Sequence, residues 1–411
     1  MPERVARPGA GARFRRQVMF SLRSEPAVIF FWGRLVIWGG ALFAYFAIDP
    51  NRGPYAARLD VPRLTHDLGA VTDVWARWDS IPYLQIAEHG YGGVKGSPAF
   101  YPLYPWIVGA VGRVLGGHFV LAGLVVSLCA TLLAYLLLHR MACLKLGAAD
   151  ARRTVVYLAI FPMTLFLQAV YAESLSLCLA LAAFLAAERG RWRSTGLLAG
   201  FAFLTRPTGF ALIPPLLIMS WRSRQPLRAF LGLVISPVVF LAFPIVLRVQ
   251  LGDPWAFLHA ERFWHRSVSP FGPLFGVWQA LHAAWAGVLQ LTIGSAQHWY
   301  WTPVNPARAA ALNLEYLAYL LVLCWLGVVA WRSLGAPYGV FVAASLALPL
   351  AAPSDTYPLL SLPRLGLTMF PVFLALAVVG RRERAHAAIV VCSAVLLGIS
   401  VAEWATWQWV S

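Results

Sequence analysis

A polar segment of the chain, residues 75–91, carries the side chains best suited to chemistry. A helix is predicted to begin at Asp79 or Ser80 and to end before Gly90. Asp79 and Tyr83 then share one face of that helix, one turn apart. A partly desolvated carboxylate at Asp79 could take a proton from a hydroxyl as a general base. The alternative interpretation is that Asp79 only caps the helix N-terminus, although Ser80 could cap it equally well.

Three more charged residues interrupt apolar sequence. Glu173 lies in a predicted tight turn between two apolar runs, where a carboxylate is costly unless it is paired or hydrated. A structural salt bridge is the alternative to a functional role for it. Arg206 lies at a break flanked by proline and glycine, where a guanidinium and exposed backbone donors suit a phosphate group. Arg364 opens another apolar run and could either bind phosphate or extend towards the membrane surface.

Two further segments are rich in aromatic or basic residues. Residues 100–106 predict an aromatic belt at the bilayer surface, which could also line the entry for a lipid chain. Residues 253–266 predict an amphipathic helix lying on the membrane, with His259, Arg262 and Arg266 on its polar face. A solvated polar face accounts for most of these groups. Contact of one of them with an anionic headgroup is the alternative.

The elements that must position these residues are membrane helices. The chain of 411 residues is 60% hydrophobic and only 12% charged, which is too apolar for a soluble globular protein. Apolar runs recur near the length of roughly 20 residues that crosses a bilayer. The net charge of +16 comes in short clusters between these runs, which is typical of topology determinants and not of a nucleic-acid-binding surface. The 5 cysteines lack the spacing of disulfide pairs or metal ligands.

The composition therefore predicts a single all-α domain, residues 1–411, that is a polytopic transmembrane helical protein with about 9–11 membrane helices. The positive-inside rule places the N-terminus and the basic clusters in the cytoplasm. This topology requires residues 101–117 to form an interfacial or re-entrant helix, and residues 195–220 to form two short segments broken at 205–209. External loops are predicted at 49–117, with interfacial helices, and at 250–308. The predicted crossings are 28–48, 119–138, 155–170, 175–187, 229–249, 310–331, 339–350, 367–379 and 387–401.

Several common motifs are absent from the sequence. It contains no Walker A loop, no G-x-G-x-x-G fingerprint, no H-E-x-x-H motif and no D-x-D pair. The missing D-x-D pair argues against a nucleotide-sugar donor. No metal and no other cofactor is required by any visible motif.

The polar motifs, taken in order, resemble those of a known family. They are residues 77–80 with Tyr83 and 86–91, then 100–105, 171–174, 204–209 and 361–364. Together they resemble the PIG-V family of mannosyltransferases, which includes the GPI mannosyltransferase 2 enzymes and bacterial relatives within the GT-C superfamily. One departure is Leu365, because eukaryotic members commonly have an aromatic residue after the Pro-Arg pair.

This resemblance implies an inverting membrane enzyme of GT-C type that takes mannose from a polyprenyl-phosphate carrier on the non-cytoplasmic side. The expected partners are that donor, a lipid or glycolipid acceptor and membrane lipids, without nucleic acid, and the expected location is a bacterial plasma membrane. Alternatives are a protein O-mannosyltransferase, a transferase of another polyprenyl-linked sugar, and a lipid or sugar transporter or flippase. The family's essential acidic residue in the first external loop matches Asp79, which is the catalytic candidate. The candidates for binding donor phosphate or substrate are Arg206, Arg364, Tyr83, Glu173, His259, Arg262, His265 and Arg77.

Overall fold

A computed structural model describes residues 10–410 except 52, 54–55, 57–58, 94–95, 295–304 and 356. Over this part of the chain the secondary structure is helical, and no strand is present apart from an isolated antiparallel bridge between Arg266 and Ser354. The all-α prediction is therefore confirmed for the described residues.

The helices are of very unequal length, from 3 to 38 residues. Short 3-10 helices lie at Tyr91–Gly93, Ser97–Ala99, Pro162–Leu167, Pro207–Leu212 and Glu261–Trp264. The α-helices, numbered in chain order, are α1 (Ala10–Ala47), α2 (Pro62–Thr65), α3 (Ala70–Asp73), α4 (Ser80–His89), α5 (Leu103–Val114), α6 (Phe119–Lys145), α7 (Ala148–Ile160), α8 (Glu173–Glu188), α9 (Trp192–Phe203), α10 (Ile213–Trp221), α11 (Pro226–Leu233), α12 (Ile235–Phe240), α13 (Ala242–Leu251), α14 (Ala256–Ala260), α15 (Pro273–Ile293), α16 (Pro306–Leu334), α17 (Ala336–Ala351), α18 (Leu362–Gly366), α19 (Phe370–Val379) and α20 (Glu383–Ala405).

Among the described residues, 5 helical stretches are long and apolar enough to cross a membrane, and each coincides with a predicted crossing. The chain is thus an integral membrane protein, and the total of about 9–11 membrane helices stays a prediction. The 5 stretches are Glu25–Ala47, Phe119–Lys145, Pro226–Leu251, Pro306–Leu334 and Glu383–Ala405.

Two predictions about broken or short segments agree with the structure. Helix α5 has only 12 residues, which is too short to cross a bilayer, as predicted for residues 101–117. Helices α9 and α10 are separated by an extended residue, Arg206, and by the 3-10 helix Pro207–Leu212. Gly209 is required at this break because a Cβ atom there would lie 2.2 Å from the carbonyl oxygen of Ala202.

One prediction about an element boundary is wrong. The crossing predicted at 155–170 is not one helix, because α7 ends at Ile160 and the chain continues as the 3-10 helix Pro162–Leu167. The segment 250–308, predicted as an external loop, contains the 21-residue helix α15, and its side of the membrane stays a prediction. Small residues such as Gly276 let α15 pack closely on neighbouring helices, since a Cβ atom there would lie 2.2 Å from the carbonyl oxygen of Leu350. That tertiary contact is not visible in the local sequence.

Helix α8 lies at the centre of the core. Nearly all of its residues are buried, and it packs against α6 and α9. Because α8 is surrounded by other helices, the position of its first residue, Glu173, is fixed. This helix therefore supplies the rigid base of the candidate site.

Candidate active site

Asp79, Arg364, Glu173 and Arg206 form a chain of alternating charge, called here the ion-pair chain. Arg364 Nη1 lies 2.6 Å from Asp79 Oδ2, and Arg364 Nε lies 3.3 Å from Glu173 Oε1. Arg206 Nη1 forms an ion pair with the same Glu173 oxygen. Two carboxylates and two guanidinium groups make this set formally neutral. The sequence predicted each residue as a site candidate, and the fold brings them together.

Three of the four members of the ion-pair chain stand at the end of a helix. Asp79 occupies the N-cap position of α4, and Glu173 is the first residue of α8. Arg206 lies at the break after α9, whereas Arg364 lies within the five-residue helix α18. The carboxylate of Glu173 at a helix N-terminus is favoured by the helix dipole. Helix ends therefore position both carboxylates and one of the two guanidinium groups.

Asp79 is at the cap position but does not act as a cap. Its carboxylate makes no capping hydrogen bond to α4 and is bound by Arg364 instead. Its backbone N–H donates to Tyr171 Oη at 3.0 Å, and Tyr171 Oη donates to the carbonyl oxygen of Arg77 at 3.3 Å. The turn before α8 thus holds the backbone of residues 77–79 while the carboxylate stays directed at Arg364.

Exposure increases along the ion-pair chain from Glu173 to Asp79. The exposed fraction of the side chain is 1% for Glu173, 10% for Arg206, 11% for Arg364 and 23% for Asp79. Burial would lower the pKa of the Arg364 guanidinium, but Asp79 and then Glu173 more than offset this and raise the pKa above its usual range. Arg364 is therefore a permanent cation whose carboxylate partner Asp79 is the accessible end of the set.

Aromatic rings enclose the guanidinium of Arg364. Its central carbon lies 5.4 Å from the ring centre of Tyr171 and 5.5 Å from that of Phe166. Tyr83 packs against Tyr171 and Tyr104, with ring centres 6.3 and 5.2 Å apart. Burial raises the pKa of the Tyr83 phenol, so this residue stays protonated and serves as part of the wall.

Backbone strain is concentrated next to the site. In the described part of the chain, the residues other than glycine with positive φ are Trp78 (53°), His265 (55°), Ser361 (66°) and Trp407 (58°). Trp78 directly precedes Asp79, Ser361 is the N-cap residue of α18, and Trp407 packs against Trp78 at 5.7 Å. Such conformations cost about 1–3 kcal/mol each and persist only where the surrounding structure imposes them. The fold therefore imposes the backbone directions from which Asp79 and Arg364 project.

Arg266, at the end of the segment 253–266, supports the same region. Its Nη2 donates to the carbonyl oxygen of Leu360 at 2.8 Å, and its Nη1 donates to that of Ala352 at 3.1 Å. These bonds hold the loop that leads into Ser361 and α18. Sequence reasoning named Arg266 on a polar face but did not select it for the site. Its bonding partners lie 86 and 94 positions away in the chain, so the local sequence carried no signal for these contacts.

Arg77 points away from the ion-pair chain. Its side chain is buried, its guanidinium lies 4.5 Å from the ring centre of Trp407, and its Nε donates to the carbonyl oxygen of Val74. Burial lowers its pKa to about 10. The structure therefore shows Arg77 packed in the support of the site, and a part in substrate binding stays a prediction.

The segment 253–266 is not one amphipathic helix, because α14 is followed by a 3-10 helix that ends at Trp264, and His265 then adopts a left-handed conformation. His259, Arg262 and His265 are exposed, and His259 pairs with Asp253 at 3.3 Å. None of these three has an ion pair or hydrogen bond to a side chain of the ion-pair chain among the described contacts. Their role in binding stays a prediction.

The aromatic-belt interpretation of residues 100–106 fails for two of its tyrosines. Tyr101 and Tyr104 are 5% and 0% exposed, and Tyr104 lies on α5, which packs between α4 and α6. The Tyr104 hydroxyl donates to the carbonyl oxygen of Gly123 and is 2.9 Å from Ser127 Oγ. Tyr104 joins the wall behind Tyr83, and Tyr101 packs against Phe243 and Phe257.

Where side chains are described, no three His, Cys, Asp or Glu residues come together as they would to hold a metal ion. The expectation that the reaction needs no metal and no other cofactor stays a prediction. The groups that the site offers are the Asp79 carboxylate, two guanidinium groups and aromatic walls.

Comparison with known proteins supports the resemblance seen in the motifs. Residues 67–223 match the family described as Mannosyltransferase (PIG-V), which is a glycosyltransferase family. This segment includes Asp79, Glu173 and Arg206 and ends before Arg364. A comparison with curated proteins finds no match. Among solved structures, the chain is similar to the crystal structure of ArnT from Cupriavidus metallidurans in the apo state, at 18% identity over 92% of this chain and 77% of that chain, with a TM-score of 0.39.

Proposed function

Because residues 67–223 match the mannosyltransferase (PIG-V) family, we propose that the chain is an inverting membrane mannosyltransferase of GT-C type. It would move mannose from polyprenyl-phosphate mannose to a hydroxyl of a lipid or glycolipid. The observation that carries this proposal is the pairing of Asp79 with Arg364 at 2.6 Å. A base for the acceptor and a cation for the leaving phosphate stand side by side, which is what this transfer requires.

In the proposed reaction, the acceptor oxygen attacks C1 of the mannose while Asp79 takes the proton of its hydroxyl. The bond between C1 and the phosphate oxygen breaks, and its electron pair leaves with the phosphate. Attack opposite to the leaving group inverts the configuration at C1.

The phosphate gains a negative charge as the C1–O bond breaks, so catalysis depends on cations fixed where that charge develops. Arg364 and Arg206 supply such charges. The rings of Tyr171 and Phe166 hold the guanidinium plane of Arg364 before substrate binds. Charge-assisted bonds from arginine to phosphate are among the strongest that side chains make.

The proposed orientation places the N-terminus in the cytoplasm and the ion-pair chain on the external side of a bacterial plasma membrane, as the positive-inside rule suggests. A site on the external side favours a lipid-linked donor, because nucleotide sugars are cytoplasmic substrates. In intact cells, the variant Glu88→Cys should be labelled at position 88 by a thiol reagent that does not cross membranes. The unsubstituted chain controls for its natural cysteines.

The experiment is transfer from synthetic polyprenyl-phosphate mannose by purified Asp79→Asn protein, with products identified by mass spectrometry. Loss of a general base is expected to lower the rate about 10²- to 10⁴-fold. Glu88→Gln, on the same helix and outside the ion-pair chain, is the matched control and should transfer normally. Wild-type activity of Asp79→Asn would exclude the base role. The same assay with polyprenyl-phosphate glucose tests the choice of sugar.

A further inference from the structure

We propose that Arg364 is the residue that binds the donor phosphate, and that the phosphate takes the place of the Asp79 carboxylate on it. This inference rests on the proposed function. In the structure, Asp79 occupies Arg364 Nη1 at 2.6 Å. A phosphate oxygen is the same kind of ligand for a guanidinium as a carboxylate oxygen. The ion pair is then the resting state of the phosphate site.

The two arginines differ in the partner that an incoming anion would have to displace. Arg206 is bound to Glu173, whose side chain is 1% exposed at the start of the core helix α8. Displacing Glu173 from Arg206 would leave this buried carboxylate with only the 3.3 Å contact to Arg364, which is unfavourable. Arg364 is bound to Asp79, whose side chain is 23% exposed. Displacing Asp79 sends a carboxylate towards water at little cost, so the exchange occurs at Arg364.

Arg364 stays anchored during this exchange. Its Nε keeps the contact with Glu173 at 3.3 Å, and the rings of Tyr171 and Phe166 stay beside its guanidinium. Glu173 in turn keeps its ion pair with Arg206. Only the Nη1 edge changes partner, from the Asp79 carboxylate to the phosphate.

The exchange links donor binding to the position of the base. Before the donor binds, the Asp79 carboxylate is held by Arg364. Once the phosphate has replaced it at Nη1, the carboxylate is released beside the bound donor, where it can meet the acceptor hydroxyl. An acceptor that arrives first meets a carboxylate held by Arg364.

The central test measures binding of a polyprenyl monophosphate to purified protein in lipid nanodiscs. Asp79→Asn removes the competing anion while preserving the size of the side chain. We expect the variant to bind this probe about three- to tenfold more tightly than the wild type. Glu88→Gln should bind it as the wild type does, and polyprenol without phosphate should bind equally to all three. Unchanged or weaker binding of the monophosphate by Asp79→Asn would overturn the exchange.

A thermodynamic cycle tests whether Arg364 is the site of the exchange. Arg364→Gln should weaken binding of the monophosphate, and adding Asp79→Asn to it should produce no tightening. Tightening that persists without Arg364 would assign the phosphate to another cation. Thermal melting of each protein checks folding, and if Arg364→Gln does not fold, the comparison of Asp79→Asn with the wild type decides alone.

The binding and transfer assays separate this inference from the proposed function. An inactive Asp79→Asn that binds the monophosphate no more tightly would refute the exchange and leave the base role intact. A fully active Asp79→Asn that binds it more tightly would refute the base role and leave Arg364 as the phosphate ligand.

Discussion

Arg364 Nη1 lies 2.6 Å from Asp79 Oδ2, although the two residues are 285 positions apart in the chain. The contact joins the start of α4 to α18 in the C-terminal part of the protein. Trp78 and Ser361, which flank these elements, both adopt left-handed backbone conformations. Because α18 lies outside the segment 67–223 that matches the family, the site is completed by a part of the chain which that match does not include.

Glu173→Gln should destabilise the protein. Glu173 is almost fully buried and contacts both Arg206 and Arg364, so its neutralisation leaves two guanidinium groups without their shared anion. Removing one partner from a buried ion pair costs about 3–5 kcal/mol. We expect a clearly lower melting temperature in detergent. Glu88→Gln is the control, and a Glu173→Gln protein that melts with the wild type would show that the pair is not needed for stability.

Tyr171→Phe should lower kcat more than it changes the donor KM. The lost hydroxyl accepts from the backbone N–H of Asp79 and donates to the carbonyl oxygen of Arg77. Its removal costs about 1–3 kcal/mol of stability and loosens the position of the base. Tyr157→Phe on α7, which loses a bond to His386, should be less stable but equally active. Equal kcat for both variants would exclude a positioning role for Tyr171.

Arg77→Lys distinguishes packing from substrate binding at Arg77. Lysine loses the planar stacking on Trp407 and the Nε bond to Val74, so the melting temperature should fall. The donor KM should stay within about twofold, since Arg77 lies outside the ion-pair chain and a twofold change is only a few tenths of a kcal/mol. Arg193→Lys at an exposed position controls for the exchange of residue type. A large increase in KM would support the sequence-based prediction that Arg77 binds substrate.

Gly196→Ala should disrupt the packing of α9. A Cβ atom at this position would lie 1.9 Å from the carbonyl oxygen of Gly232 on α11, so the two helices must separate. Such overpacking costs about 1–3 kcal/mol. Gly39→Ala in α1, where a Cβ atom has no neighbour within 4 Å, should be neutral. Equal melting temperatures of these two variants would contradict the close approach of α9 and α11.

Local chemistry in the sequence determined α4 and the break at Arg206. Helix α4 runs from Ser80 to His89, as the proline near its start and the glycine after its end predicted. The break between α9 and α10 followed from the proline and glycine beside Arg206. Apolar runs also identified the long spans. These features depend on residues within a few turns of one another, so they can be read without the fold.

Only the tertiary structure decided what the charged side chains contact. At the level of sequence, Asp79 could have been a helix cap, Glu173 a structural salt bridge, and Arg364 a residue at the membrane surface. In the fold, Asp79 and Glu173 meet the same guanidinium, while Arg77 turns away onto Trp407. Helix α15 likewise depends on small residues that fit against distant helices. Ion pairing and close packing depend on partners far apart in the chain, and their free energy is set by burial, which local sequence does not specify.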